Sequence, residues 1–150
     1  MAAKKTYLIE DGIEARCAPE AVMAEVLAPR KWPSWQSEIL RTTGPDRIEE
    51  GDQVSGEARL AGFRVQGRSD AHVVTEDVFM EDVIVGVRMV VTYQVEPTAT
   101  GTRIKRTLEC DLPGGPSGWV LSLVLRARLR KMQRRALAEL AAQAEAEAPD

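Results

Sequence analysis

The sequence predicts an α+β fold: a seven-stranded antiparallel curved sheet wrapped on a long C-terminal helix, with two short helices after strand 1. Three observations carry that prediction. Tyr7–Cys17 alternates, placing Ile9, Asp11, Ile13, Ala15 and Cys17 on one face, as a strand does. Six more such segments follow between Ile39 and Cys110, joined by turns so short that neighbours must run antiparallel. From Trp119 to about Ala146, apolar residues recur every three or four positions, the period of a helix with one buried side.

Each element has a local reason. Ala18-Pro19-Glu20 opens a short helix through about Leu27, since proline suits a first helical turn, and Pro29 ends it. Trp32-Pro33-Ser34-Trp35 forms a second helical turn, closed before Ile39. The strands are Ile39–Thr43, Gln53–Leu60, Phe63–Val74, Phe79–Val85, Val87–Glu96 and Thr102–Cys110. Gly44-Pro45-Asp46, Gly51-Asp52, Ala61-Gly62, Gly86 and Pro97 to Gly101 mark the turns between them. Pro113-Gly114-Gly115-Pro116-Ser117-Gly118 breaks the strand pattern, and a helix of roughly 42 Å follows at 1.5 Å per residue. Leu121, Leu125, Leu129, Met132, Ala136 and Leu140 form its apolar stripe, and its Ala/Glu-rich end after Ala141 is expected to fray.

Composition excludes more than it proposes. A chain of 150 residues accommodates one domain, expected to span residues 1–150. A net charge of −3 is not that of a polycation built for nucleic acid. Two cysteines are too few for a disulfide scaffold, and one histidine argues against most metal sites and histidine-based catalysis. His72 shares strand parity with Arg64, Gln66, Arg68 and Asp70, a polar outward face, so no Ser/His/Asp triad is expected. No Gly-Lys-Ser/Thr follows the glycine-rich loop, so it is no phosphate cradle and no cofactor is expected. The N-terminus has no apolar stretch of signal-peptide length, and the longest apolar run is far short of a membrane span; a cytoplasmic protein is expected, monomer or homodimer.

A helix laid across a curved sheet leaves space where the sheet bows away. The inward faces are Phe63, Val65, Gly67, Ser69, Ala71 and Val73 on the fourth strand, and Val87, Met89, Val91, Tyr93 and Val95 on the sixth. Several of these side chains are small, and the chain has only two Phe, two Tyr and three Trp. The space is therefore either an apolar pocket for a small molecule or an ordinary packed core.

The order of elements, with Ala18-Pro19-Glu20-Ala21-Val22 after the first strand and Trp32-Pro33-Ser34-Trp35 in the second helix, resembles the helix-grip fold of the SRPBCC superfamily. Glu50-Gly51-Asp52 opening the third strand, Gly101-Thr102 opening the seventh and the terminal amphipathic helix extend the resemblance over about residues 6–146. That superfamily includes START-like lipid-transfer proteins and the polyketide cyclase/dehydrase family. The resemblance implies a hydrophobic cavity between sheet and long helix, without implying one activity.

The predicted ligand-binding residues are Asp11, Trp35, Phe63, Val65, Met89, Val91, Tyr93, Arg106, Leu108, Trp119 and Leu123. Arg106 shares inward parity with Ile104, Leu108 and Cys110, and a buried guanidinium needs partners. In the helix-grip arrangement the first and last strands are neighbours, so Asp11 meets Arg106. The two then form either a polar anchor for a ligand carboxylate or hydroxyl, or a self-satisfied ion pair. Trp35 faces core or cavity, whereas Trp32 only pins the loop. Trp119, Val120 and Leu123 begin the helix beside the Gly/Pro loop, which is either a gate or a plain connector. Arg126 to Arg135 carries six basic residues and no acidic one. It is either a solvated face or, through Arg126, Arg130 and Arg134, a weak contact for an anionic membrane surface or acidic protein. The reading is a carrier of a hydrophobic lipid or polyketide-like molecule. A cyclase/dehydrase-type enzyme using Tyr93, Asp11 and Arg106 is one alternative, and an interaction module through the basic helix the other.

Overall fold

Alternating segments form strands at the expected places. In the computed structural model, which describes residues 5–60, 62–112 and 116–148, seven strands are present among the described residues. They are β1 (Lys5–Ala15), β2 (Ile39–Thr43), β3 (Gln53–Leu60), β4 (Phe63–Val74), β5 (Val78–Ile84), β6 (Arg88–Pro97) and β7 (Thr102–Leu112). Every neighbouring pair is antiparallel, in the order β1-β7-β6-β5-β4-β3-β2. The β5–β6 turn uses Gly86 at φ 77°, a left-handed conformation that costs glycine little. Register shifts at Leu40 and His72 mark irregularities of the bulge type, which bend strands and increase twist.

Between β1 and β2 the chain makes α1 (Pro19–Val26), a single 3₁₀ turn (Pro29–Lys31) and α2 (Trp32–Trp35). Pro19 occupies the first turn of α1 with Glu20 beside it, where a carboxylate favours the helix dipole. The long helix α3 (Pro116–Glu147) packs on β1, β7, α1 and α2. Its expected stripe is buried at Leu129, Ala136 and Leu140, and half-buried at Leu125 and Met132; the Leu121 side chain lies outside the described residues.

The end of α3 corrects one expectation, because it is tied down rather than frayed. Ala141 and Ala144 are buried in the hydrophobic core that also holds Val22 and Val26 of α1, and such small side chains allow a close approach. Polar groups lock the same end. Lys31 Nζ donates to Glu25 at 3.2 Å and to Glu147 at 2.7 Å, Gln143 donates to Glu25 at 2.7 Å, and the Arg16 amide donates to Glu145 at 2.7 Å. Burial raises the Glu25 pKa above the ordinary carboxylate value, which Gln143 and Lys31 partly offset.

Aromatic side chains gather at one place. Phe79 stacks on Tyr93 at 6.1 Å, Trp35 meets Tyr93 edge-on at 6.0 Å, and Trp32 lies 6.4 Å from Phe79. This segregation leaves the rest of the concave face to smaller residues. Row by row across the sheet, Ala71, Glu81, Val91, Leu108 and Ile9 stand side by side, and Ser69, Val83, Met89, Cys110 and Tyr7 form the next row.

Candidate ligand-binding cavity

Glu81, Val91 and Leu108 of the first row and Ser69, Val83 and Met89 of the second floor a cavity that α3 roofs with Leu129 and Met132. Val54, Gly56 and Ala58 of β3 supply one wall, and Trp32 and Ile39 close the side toward α2. Counted out to its open mouth, the cavity encloses about 770 Å³ of atom-free space, of which about 100 Å³ is wide enough for the centre of a water molecule. It is therefore narrow, and a ligand larger than a few waters enters by moving side chains such as Met132. Gly67 and Gly56 keep the floor low, since neither adds a side chain to the concavity.

Polar groups collect on this wall. Glu81 is 5 % exposed, and its Oε2 accepts a hydrogen bond from Ser69 Oγ at 2.8 Å. Burial pushes the Glu81 carboxyl up to about 7, against the lowering influence of Ser69 and Arg106. Glu38, in the loop after α2, also lines the cavity and is raised by burial, opposed by its own backbone hydrogen bond, Arg106 and Arg135. Arg106 is buried; its Nε donates to the Tyr93 hydroxyl at 2.9 Å and a terminal nitrogen to Gln133 Oε1 at 3.0 Å. Its guanidinium also lies 5.2 Å from the Tyr93 ring centroid. Burial disfavours the Arg106 charge, but Tyr93, Glu38 and Glu81 outweigh it, so the group stays cationic. Burial likewise pushes the Tyr93 hydroxyl well above its ordinary value, so it remains protonated.

The sequence-predicted residues divide into distinct groups. Met89, Val91, Arg106 and Leu108 stand on the cavity wall. Tyr93 and Trp35 are buried behind it, and Trp32 takes the wall position expected of Trp35. The α2 turn aims Trp32 inward, and its indole N–H donates to the Val26 carbonyl at 2.8 Å. Asp11 does stand opposite Arg106 in the β1–β7 register. No direct ion pair forms; Gln133 intervenes, accepting from Arg106 and donating to Asp11 at 3.1 Å, while Arg134 pairs with Asp11 at 3.7 Å.

Phe63 is a correction: its parity is as expected, but it is 74 % exposed, because it sits at the β3–β4 hairpin tip and is left uncovered. Val65 is half-buried against the core and does not line the cavity. Leu123 is also corrected. It is 49 % exposed and lines an outer groove with Tyr7 and the basic residues of α3. Residues 113–115 of the expected gate and the Trp119 side chain lie outside the described residues.

Sequence reasoning missed Glu81, Glu38 and Gln133. Glu81 shares strand parity with Phe79 and Val83, and Gln133 lies four residues from both Leu129 and Leu137, so a signal existed for each. Glu38 lies in a loop, where no periodicity marks direction.

His72 is exposed, and Cys17 and Cys110 are buried free thiols at opposite ends of the β1–β7 ladder. Among the described residues there is no cluster of three potential metal ligands, and no helix is long and apolar enough to cross a membrane.

Comparison with known proteins gives the same architecture. TTHA0849 from Thermus thermophilus superposes with a TM-score of 0.79 at 17% identity, covering 97% of this chain and 100% of that one. Zhui aromatase/cyclase from Streptomyces sp. R1128 gives 0.78 at 12% identity, with coverage of 97% and 100%. The di-domain ARO/CYC StfQ from the steffimycin biosynthetic pathway gives 0.78 at 17% identity, covering 94% of this chain and 51% of that one. These likenesses establish the helix-grip fold. No curated protein matches the sequence. The sequence model of the family described as "Polyketide cyclase / dehydrase and lipid transport" matches residues 8–145, and the chain therefore belongs to that family.

Proposed function

We propose that this protein binds a hydrophobic small molecule, lipid or polyketide-like, in the cavity between the sheet and α3, as a carrier or binding protein. The observation that carries the reading is the segregation of bulky aromatics to one end, which leaves Val, Ala, Gly and Met around an open space. Apolar ligand surface buried there contributes about 25 cal/mol per Å² before the entropy of association is subtracted. The test is native mass spectrometry and extraction of the purified protein, followed by titration with the neutral fluorophore N-phenyl-1-naphthylamine. A co-purifying apolar molecule, and probe binding abolished by Ala58→Phe in a folded protein, are expected. Probe binding unaffected by Ala58→Phe overturns the reading.

One observation favours a second reading, a cyclase/dehydrase-type enzyme. Glu81 has a pKa near neutrality, in a cavity that also holds a cationic guanidinium, a combination suited to proton transfer next to a carbonyl. Glu81-dependent deuterium exchange of the methyl protons of 2-acetonaphthone, followed by NMR, supports it; exchange no faster than in buffer removes it. Arg126, Arg130, Lys131 and Arg134 line the outer groove with Leu123, and Val120 and Val124 are exposed near the start of the same helix, a combination that suits an anionic bilayer. Salt-sensitive sedimentation with phosphatidylserine vesicles supports that contact, and equal sedimentation with phosphatidylcholine vesicles counts against it.

A further inference from the structure

The charges at the buried end of the cavity do not balance. Arg106 brings one positive charge, and its hydrogen bonds among the described residues go to two neutral groups, Tyr93 and Gln133. Two carboxyls, Glu81 and Glu38, face the same space; Glu57 and Arg68 also line the cavity, but they are paired, with Arg41 and Arg64 and with Asp70 respectively. Arg135 is exposed on α3, so solvent screens its influence on Glu38. The remaining neighbours of Glu81 are neutral: Ser69 from β4 and Tyr93 from β6.

Glu81 also has unused capacity. Ser69 occupies Oε2, while Oε1 accepts no hydrogen bond among the described residues. Glu81 lines the cavity, so this oxygen opens onto it, and what it can accept there is an O–H or N–H. An incoming anion would add a third negative charge against one guanidinium in a low-dielectric site.

Resting on the carrier reading above, we propose that this end of the cavity receives the neutral hydroxyl of an apolar alcohol or phenol, donated to Glu81, and rejects a carboxylate on the same apolar body. The guanidinium of Arg106 is thereby assigned to offsetting the charges of Glu81 and Glu38 across the cavity, not to capturing an anionic ligand.

The test compares 2-naphthol, 2-naphthoate and naphthalene by fluorescence titration at about pH 8, where Glu81 is mostly ionised. The expected result is 2-naphthol binding at least about tenfold more tightly than 2-naphthoate. The gap narrows about threefold or more at about pH 6, and likewise in Glu81→Gln, because both remove the repelling charge. Naphthalene bound, with naphthoate equal to or tighter than naphthol, overturns this inference and leaves the carrier reading standing. Failure of all three, naphthalene included, overturns the carrier reading with it. The pH comparison needs no variant, so a poorly folding Glu81→Gln protein does not shield the proposal.

Discussion

Replacing Glu81 with Gln should stabilise the protein at neutral and alkaline pH. The Glu81 carboxyl is buried, and its pKa rises from the ordinary 4.5 to about 7. At 1.36 kcal/mol per pH unit, that rise corresponds to about 3 kcal/mol. Between pH 4.5 and about 7 the folded state binds more protons at this site than the unfolded state does. Stability therefore falls as pH rises through that window and levels off above it. Gln keeps an oxygen to accept from Ser69 and carries no charge, so the variant should lose this part of the slope. Urea denaturation at intervals from about pH 5 to pH 8 measures both proteins. The difference between variant and wild type should grow to about 3 kcal/mol at the alkaline end, in favour of the variant. Taking this difference removes the contributions of Glu25 and Glu38, whose raised values tilt the profile the same way, and of Asp82, which Arg88 lowers. Parallel pH profiles for the two proteins would refute the assignment of a buried, proton-binding carboxyl at this position.

Arg106→Met should cost about 2–4 kcal/mol in urea denaturation, since Tyr93 and Gln133 lose their partner inside the protein. It should also move the Glu81 titration to higher pH, because Arg106 lowers the Glu81 pKa; an unchanged midpoint would contradict that coupling. Leu129→Ala, at a fully buried helix position, should cost about 3 kcal/mol by the same assay while leaving binding of an apolar probe in place. Gly101→Ala should cost about 1–3 kcal/mol, because a Cβ there runs into the Ala15 carbonyl oxygen where β7 begins beside the end of β1; a neutral effect would mean that this strand end yields easily.

Much of the architecture was readable in the sequence because strands and helices announce their buried side by period. Gln53–Leu60 and Phe63–Val74 end where the turn residues say they do, and the Leu125–Leu129–Met132–Ala136 spacing orients α3. The register of β1 on β7 also placed Asp11 opposite Arg106. Parity alone, however, says which face a residue occupies and nothing about how far the covering helix reaches. Phe63 lies on the concave face and still ends in solvent. Nor does parity reveal what a side chain meets across the core: Gln133 comes from α3, far along the chain, and separates two residues expected to touch. Composition misled at the end of α3, where alanines that read as weak packing are the small surfaces another helix needs.

The neighbour order has a kinetic consequence. From β2 to β6 each strand pairs with the next one along the chain, so each of these ladders closes a short loop. Strand β1 alone joins at long range, setting Asp11 against Arg106, 95 positions further on. Such a closure has a high entropic cost before any contact rewards it, and chains dominated by it fold slowly. The meander and α3 are thus in a position to assemble before the N-terminal strand is zipped on. In pulse-labelling hydrogen exchange, the amides of β1 and its partners on β7 should gain protection after those of the β3–β4 hairpin. The Asp11–Gln133 bridge would then be among the last contacts made, and an unfinished molecule would present β7 as a bare edge to its neighbours.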